Sequence, residues 1–198
     1  MSTEILNDAE FLYYYELIDG KKFRLPSMTP AQNQIKGRVM LCIGKYLMDN
    51  KRGYFFSNVE VHFDEKNIFV PDLIVVLKEN ESILAKGDFV RGAPDMLVEV
   101  LSKSTRKNDL TIKKDAYEQS GVKEYWIIDP YMKSISVYLL RDGKYFLDDE
   151  YILFDEEDIK EAEFLKSQGE EVEIKHEIPV KILEGLTIPI EFVFSWGY

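Results

Sequence analysis

Apolar runs alternate with polar breaks along this chain, and the spacing inside each run sorts them into strands and helices. Tyr13 to Ile18 and Lys22 to Leu25 flank Asp19-Gly20, the dipeptide that a tight turn takes at positive φ, and predict a small N-terminal hairpin. Thr29 offers an N-cap followed by Pro30 in the first helical turn, and Ile35, Val39, Ile43 and Leu47 recur at four-residue spacing, which predicts a helix to about Asp49. Strands are expected near Gly53 to Phe63 and Ile68 to Leu77, separated by the polar Asp64-Glu65-Lys66-Asn67 as in a hairpin.

A third apolar run, Met96 to Leu101, precedes a helix expected from about Asp109 to Ser120, with Gly121 as its stop. Glu124 to Ile128 reads as the next strand, ending at Asp129-Pro130, and Ile135, Val137 and Leu139 alternate with Ser134, Ser136 and Tyr138 in a further strand that turns at Asp142-Gly143. Strand, helix, strand in that order predicts a crossover unit inside a mixed sheet. Beyond Leu147 the pattern weakens: Asp155 to Lys166 fits a short acidic helix, and Leu186 to Phe194 a final strand or turn. The reading is one α/β domain, with an N-terminal hairpin and helix (about 11–50), a core (about 53–140) and an acidic extension (about 141–198).

Two carboxylates interrupt this picture. Asp72 lies inside Val70-Pro71-Asp72-Leu73-Ile74-Val75-Val76-Leu77, and Glu99 inside Met96-Leu97-Val98-Glu99-Val100-Leu101. An ionised acid in an apolar sheet costs more than a few hydrogen bonds return, so it is neutralised, paired or bound to a metal. Two buried strands, each broken once by an acid, suggest a shared cation.

The composition, 45% hydrophobic and 31% charged over 198 residues, is that of an ordinary globular chain long enough for one core. A single Cys42 rules out an internal disulfide and a cysteine-based metal cluster, and points to the reducing cytoplasm. The first eight residues lack the basic and then apolar order of a signal peptide, and no run approaches the roughly 20 residues of a membrane span, so no membrane association is expected. The net charge of −11 argues at first sight against nucleic acid, but residues 141–198 hold 16 acids and 6 bases, leaving a net of −1 on residues 1–140. Ser102 to Lys114 is locally basic, with Lys103, Arg106, Lys107, Lys113 and Lys114 against Asp109. A solvated loop and helix start would explain that stretch as well as a nucleic-acid contact does.

On the helix after Glu99, a spacing of about 100° per residue puts Leu110, Ile112, Lys113, Ala116 and Tyr117 on one arc, with Lys113 at its centre. A lysine there either snorkels to water or aims its ammonium at a buried negative group. The short return from strand to helix would bring Lys113 toward Asp72 and Glu99. Tyr117 and Trp126 are assigned to packing, and His62 and His176 show no partner at metal-ligand spacing.

Val70-Pro71-Asp72, Leu97-Val98-Glu99-Val100-Leu101-Ser102-Lys103-Ser104-Thr105, Asp109-Leu110 with Lys113 and Tyr117, and Gly121 to Asp129 together resemble the Uma-two family of restriction-endonuclease-like proteins, within the PD-(D/E)XK nuclease superfamily. Tyr15 to Gly20 and Thr29-Pro30 resemble its usual opening. The resemblance implies a restriction-endonuclease-like core, a mixed β-sheet flanked by helices, and a metal-dependent endonuclease acting on DNA. It also implies Mg²⁺ or Mn²⁺ held by Asp72 and Glu99, with Lys113 standing in for the superfamily lysine. In the superfamily's simple motif that lysine lies two residues after the acid, a position held here by Leu101; the family is similar in drawing it from the next helix. Gln32 stands where family members often carry His and is counted, with Ser102, Arg106 and Lys107, among the candidate substrate contacts. Glu60 and the Val100 carbonyl are further candidates for the metal's coordination sphere.

A second class of function fits the same residues: an inactive nuclease fold used as a nucleic-acid-associated or protein-interaction module. A homodimer fits either class. Retention of Asp72, Glu99 and Lys113 favours the enzyme, and the C-terminal acid favours the module. The enzyme reading expects Asp72→Asn and Lys113→Ala each to abolish cleavage with the fold intact.

Overall fold

The computed structural model describes residues 15–84 and 89–195. Tyr13 and Tyr14, assigned above to the first arm of the hairpin, lie outside the described residues, as do the first eight residues. The hairpin itself forms from β1 (Tyr15–Ile18) and β2 (Lys21–Arg24), with Asp19 and Gly20 at φ of 49° and 74° as the turn requires. Helix α1 (Pro30–Asn50) starts where expected: Thr29 accepts from the Gln32 backbone N–H, and the Gln32 side chain reaches back to the Thr29 N–H in a full capping box.

The next two expected strands each divide. Gly53 to Phe63 becomes β3 (Gly53–Phe56) and β4 (Val61–His62), and Ile68 to Leu77 becomes β5 (Ile68–Phe69) and β6 (Leu73–Leu77). The cause of the second break is local: Pro71 has no N–H to give to a ladder, so pairing stops at Val70-Pro71-Asp72 and resumes in another sheet. β7 (Val90–Arg91) and β8 (Met96–Val100) follow. The single helix expected from Asp109 is two, α2 (Arg106–Leu110) and α3 (Ile112–Ser120), interrupted at Thr111, whose hydroxyl donates to the Lys107 carbonyl at 2.6 Å. Gly121, at φ 88°, ends α3.

β9 (Glu124–Asp129), β10 (Ser134–Arg141) and β11 (Lys144–Ile152) continue as a meander, and β11 runs past Leu147, where the sequence pattern had faded. Its pairing with β10 slips opposite Val137 and Tyr138, where Asp148 is the extra residue, and that slip blurs the alternation. Helix α4 (Glu156–Ser167) is capped by Asp155. The C-terminal run makes β13 (Thr187–Pro189), paired with β12 (Glu177–Pro179), and a helical turn, α5 (Ile190–Phe194).

The described strands form a six-stranded mixed sheet in the order β11-β10-β9-β8-β6-β3 and a five-stranded sheet in the order β2-β1-β5-β4-β7. β8 and β9 are parallel, joined by α2 and α3 in the expected crossover, and β6 lies antiparallel to β8. One face of the six-stranded sheet, with Leu73, Val75, Met96, Val98, Val100 and Trp126, packs on α1, α5 and the β12–β13 ribbon. The opposite face, with Ile74, Leu97, Leu101, Tyr125 and Ile127, packs on Tyr117 of α3 and on Ile18, Val61 and Phe69 of the smaller sheet. Because side chains alternate along β8, Glu99 shares the second face with Leu97 and Leu101. Extending the β6–β8 register from Leu73↔Val98 by one position sets Asp72 opposite Glu99. Among the described residues no helix is long and apolar enough to cross a membrane.

Candidate active site

Where β6 begins and β8 ends, a polar cavity of about 310 Å³ opens between the first turns of α1 and the loop into α2. Asp72, Glu99, Val100, Ser102, Asp109 and Lys113 line one side, Gln32 and Lys36 the other. Among the described residues none beyond Lys113 lines it, so the described part of the acidic C-terminal extension adds nothing to its walls.

Asp72 is fixed by its position just after the chain break at Pro71. Its Oδ2 accepts the Val100 backbone N–H at 2.7 Å, tying the start of β6 to the end of β8. Burial raises its pKa, against the opposing pull of that hydrogen bond and of the charges on Lys113 and Lys36. Glu99 is buried inside β8, and its Oε1 accepts from the Tyr117 hydroxyl at 2.8 Å and sits 2.7 Å from Lys113 Nζ. Burial pushes the Glu99 carboxyl well up, opposed by the Lys113 charge.

Lys113 points inward from the first turn of α3, as its place on the helical arc predicted. Two other members of that arc, Leu110 and Ile112, are exposed; they sit on either side of the break at Thr111, across which the single helix assumed for the arc does not run. Three carboxylates surround the ammonium: Glu99 at 2.7 Å, Glu16 at 3.0 Å and Asp109 at 3.2 Å. Desolvation alone would lower the lysine's pKa, but these acids outweigh it and hold it well above the ordinary value, so the charge is retained. Glu16 Oε1 also accepts the Val70 N–H at 3.0 Å, and thereby anchors the N-terminal hairpin to the site. Asp109 Oδ1 is buried and, beyond its proximity to Lys113, makes no hydrogen bond among the described residues.

Tyr117, assigned from sequence to packing alone, is a donor as well. It is buried against Phe69, Phe63 and Tyr125, while its hydroxyl holds Glu99. Burial raises its pKa well above the usual phenol range and keeps the proton on oxygen.

The remaining candidates separate. Gln32 lines the cavity, but its amide is committed: Nε2 donates to the Leu101 carbonyl at 2.9 Å and Oε1 accepts from the Thr29 N–H. Ser102 lines the cavity and bonds the Thr105 hydroxyl at 2.8 Å and the Thr105 N–H at 3.0 Å, which caps the turn into α2. Arg106 faces elsewhere and pairs with Asp129; Lys107 is exposed and outside the cavity. Glu60 is also outside, its carboxylate 2.8 Å from His62 Nε2. His62 is paired with that carboxylate and stacks on Phe89.

Two residues escaped the sequence reading although signals for both were present. Glu16 interrupts the apolar run Tyr13 to Ile18 as Asp72 and Glu99 interrupt theirs. Lys36 shares the inner face of α1 with Gln32, Val39 and Ile43, the same reasoning that singled out Lys113.

The donor set suits a hard divalent cation. Two carboxyls whose pKa burial raises face one polar cavity, where a cation would favour their ionised form. Among the described residues, no group of three or more His, Cys, Asp and Glu side chains is arranged as a metal shell. Two carboxylates, a main-chain carbonyl and oxygens from water or substrate are the ligands that Mg²⁺ ordinarily takes.

The sequence matches the family profile Uma2, described as "Putative restriction endonuclease", over residues 9–168. No curated protein matches the chain. Among solved structures, the crystal structure of a "putative nuclease" from Anabaena variabilis matches with a TM-score of 0.69 at 19% identity, covering 92% of this chain and 90% of that one. At that identity the likeness is one of fold, and the α/β architecture with a mixed sheet flanked by helices is common to both.

Proposed function

The chain belongs to the Uma2 family, and from that premise we propose that it is a nuclease: a metal-dependent endonuclease that hydrolyses phosphodiester bonds in DNA. The observation that carries this reading is the meeting of Asp72, Glu99 and Lys113 at one polar cavity, from two antiparallel strands and the crossover helix.

Asp72 and Glu99, with the Val100 carbonyl, hold Mg²⁺ or Mn²⁺ in this proposal. Bound there, the ion lowers the pKa of a coordinated water and stabilises charge developing on phosphate oxygens. The protein's part is positional. The Val100 N–H fixes one Asp72 oxygen and leaves the other free for the cavity. Tyr117 and Lys113 converge on Glu99 Oε1, favouring the ionised form that a ligand must have, and leave Oε2 without a hydrogen bond among the described residues. With three carboxylates around its ammonium, Lys113 acts on the reaction through Glu99; this modifies the direct role that the resemblance implied.

The test is cleavage of plasmid and short duplex DNA by the purified protein with Mg²⁺ or Mn²⁺. Products that depend on metal and vanish in Asp72→Asn support the reading. Equal cleavage by wild type and variant overturns the site.

A further inference from the structure

We infer that Lys36, on the inner face of α1, is the cavity's phosphate-binding cation, a contact to a non-reacting phosphate of the substrate backbone. The inference rests on the nuclease reading for the class of its ligand.

Lys36 is buried in the first half of α1, one turn after Gln32 and three residues before Val39, where an ordinary helix of this fold would place an apolar side chain. A buried ammonium is retained when an anion faces it. Here the only hydrogen bond its Nζ makes among the described residues is donated to neutral Asn58 Oδ1 at 3.3 Å, and no described carboxylate lies within 4.0 Å. Asn58 is itself held in the left-handed region, at φ 57°, which presents its side chain to the lysine. Two of the three N–H donors of Lys36 are therefore left for the cavity it lines.

The contrast with Lys113 sharpens the assignment. Both lysines line the same space, but Lys113 is flanked by Glu16, Glu99 and Asp109, whereas Lys36 has a single neutral partner. An anion entering beside Asp72 and Glu99 would meet Lys36 as the cation with unspent charge. It would also meet the first turn of α1, where Gln32 and Asn33 line the cavity and no acidic side chain cancels the positive end of the helix dipole. A phosphodiester lying between the acids and α1 would thus have its metal-facing oxygens on one side and Lys36 on the other.

The experiment measures the affinity of a fluorescent short duplex DNA in Ca²⁺ across a series of salt concentrations, for wild type, Lys36→Met and Lys36→Arg, beside plasmid cleavage in Mg²⁺. A thermal melt confirms that each variant is folded, and Lys36→Gln, which keeps a hydrogen bond to Asn58, replaces Lys36→Met if the latter does not fold. Loss of one phosphate contact is expected to weaken binding and lower the salt slope by about 1, while Lys36→Arg keeps the wild-type slope. A wild-type slope in the neutral variant overturns the inference, even where DNA is cleaved and the nuclease reading stands. Binding that depends on Lys36 in a protein that cleaves nothing supports the contact and overturns the nuclease reading. A wild type that neither binds nor cleaves overturns both.

Discussion

Lys113 Nζ lies 2.7 Å from Glu99 Oε1, and both side chains are buried, so each is the reason the other can be charged. Glu16 and Asp109 flank the same ammonium at 3.0 and 3.2 Å. The lysine is therefore the keystone of a buried ionic cluster as well as part of the proposed catalytic apparatus.

Lys113→Ala would leave three buried carboxylates without their cation. Breaking a buried pair in this way costs about 3–5 kcal/mol, so the variant is expected to lose stability together with activity, against the intact fold that sequence alone suggested. Chemical denaturation of Lys113→Met, Glu16→Gln and the double variant checks this. The double variant should be more stable than the sum of the two single losses predicts, because fewer acids are stranded. Additive losses would show that Glu16 and Lys113 do not interact.

Tyr117→Phe keeps the aromatic packing and removes the hydroxyl that donates to Glu99. Loss of that buried hydrogen bond is expected to cost about 1 kcal/mol in urea unfolding. A change near zero would return Tyr117 to the packing role that its sequence context implied.

The periodic features of the chain were the most legible. Asp19-Gly20, the Thr29-Pro30 cap and the Gly121 stop each act through their own φ preference or their own hydrogen bonds, so local sequence states them. Asp72, Glu99 and Lys113 stood out because a charge on an apolar face needs a partner wherever that partner lies in the chain. Glu16 and Lys36 answer to the same criterion but were hidden. Tyr15 and Leu17 are apolar on the alternate positions of β1, which masks which face Glu16 shares with Ile18, and Lys36 adjoins an obvious apolar stripe. The interruption at Pro71 is a local effect, but which sheet each half of that run joins was not visible, because the neighbour each half finds is decided by the tertiary fold.

Arg106 and Asp129 give a prediction in pH. Burial pushes Asp129 up, but the Arg106 guanidinium and the N–H groups of Met132 and Tyr131 outweigh it and hold the carboxyl below its ordinary range. A depressed folded-state pKa contributes stability that is present above the unfolded value, about 3.9, and lost as pH falls through the folded value. Arg106 is half exposed, so Arg106→Ala should cost about 1 kcal/mol or less at neutral pH. The gap from wild type should close as pH drops below the ordinary Asp range, read by urea unfolding at each pH. DNA affinity in the variant should stay near that of wild type, since Arg106 faces away from the cavity; a lower salt slope would restore it as a phosphate contact.

The central claim is that Asp72 and Glu99 form a cation site, and a thermal melt with and without excess Mg²⁺ or Mn²⁺ tests it without knowledge of the substrate. Asp72→Asn is the matched control, because an amide oxygen can still accept the Val100 N–H and hold the strands together. Linkage predicts a gain of about 2.7 kcal/mol when free metal is 100 times Kd. Metal-dependent stabilisation in the wild type that disappears in Asp72→Asn is the predicted result; no stabilisation of the wild type, or an equal rise in the variant, would contradict the account.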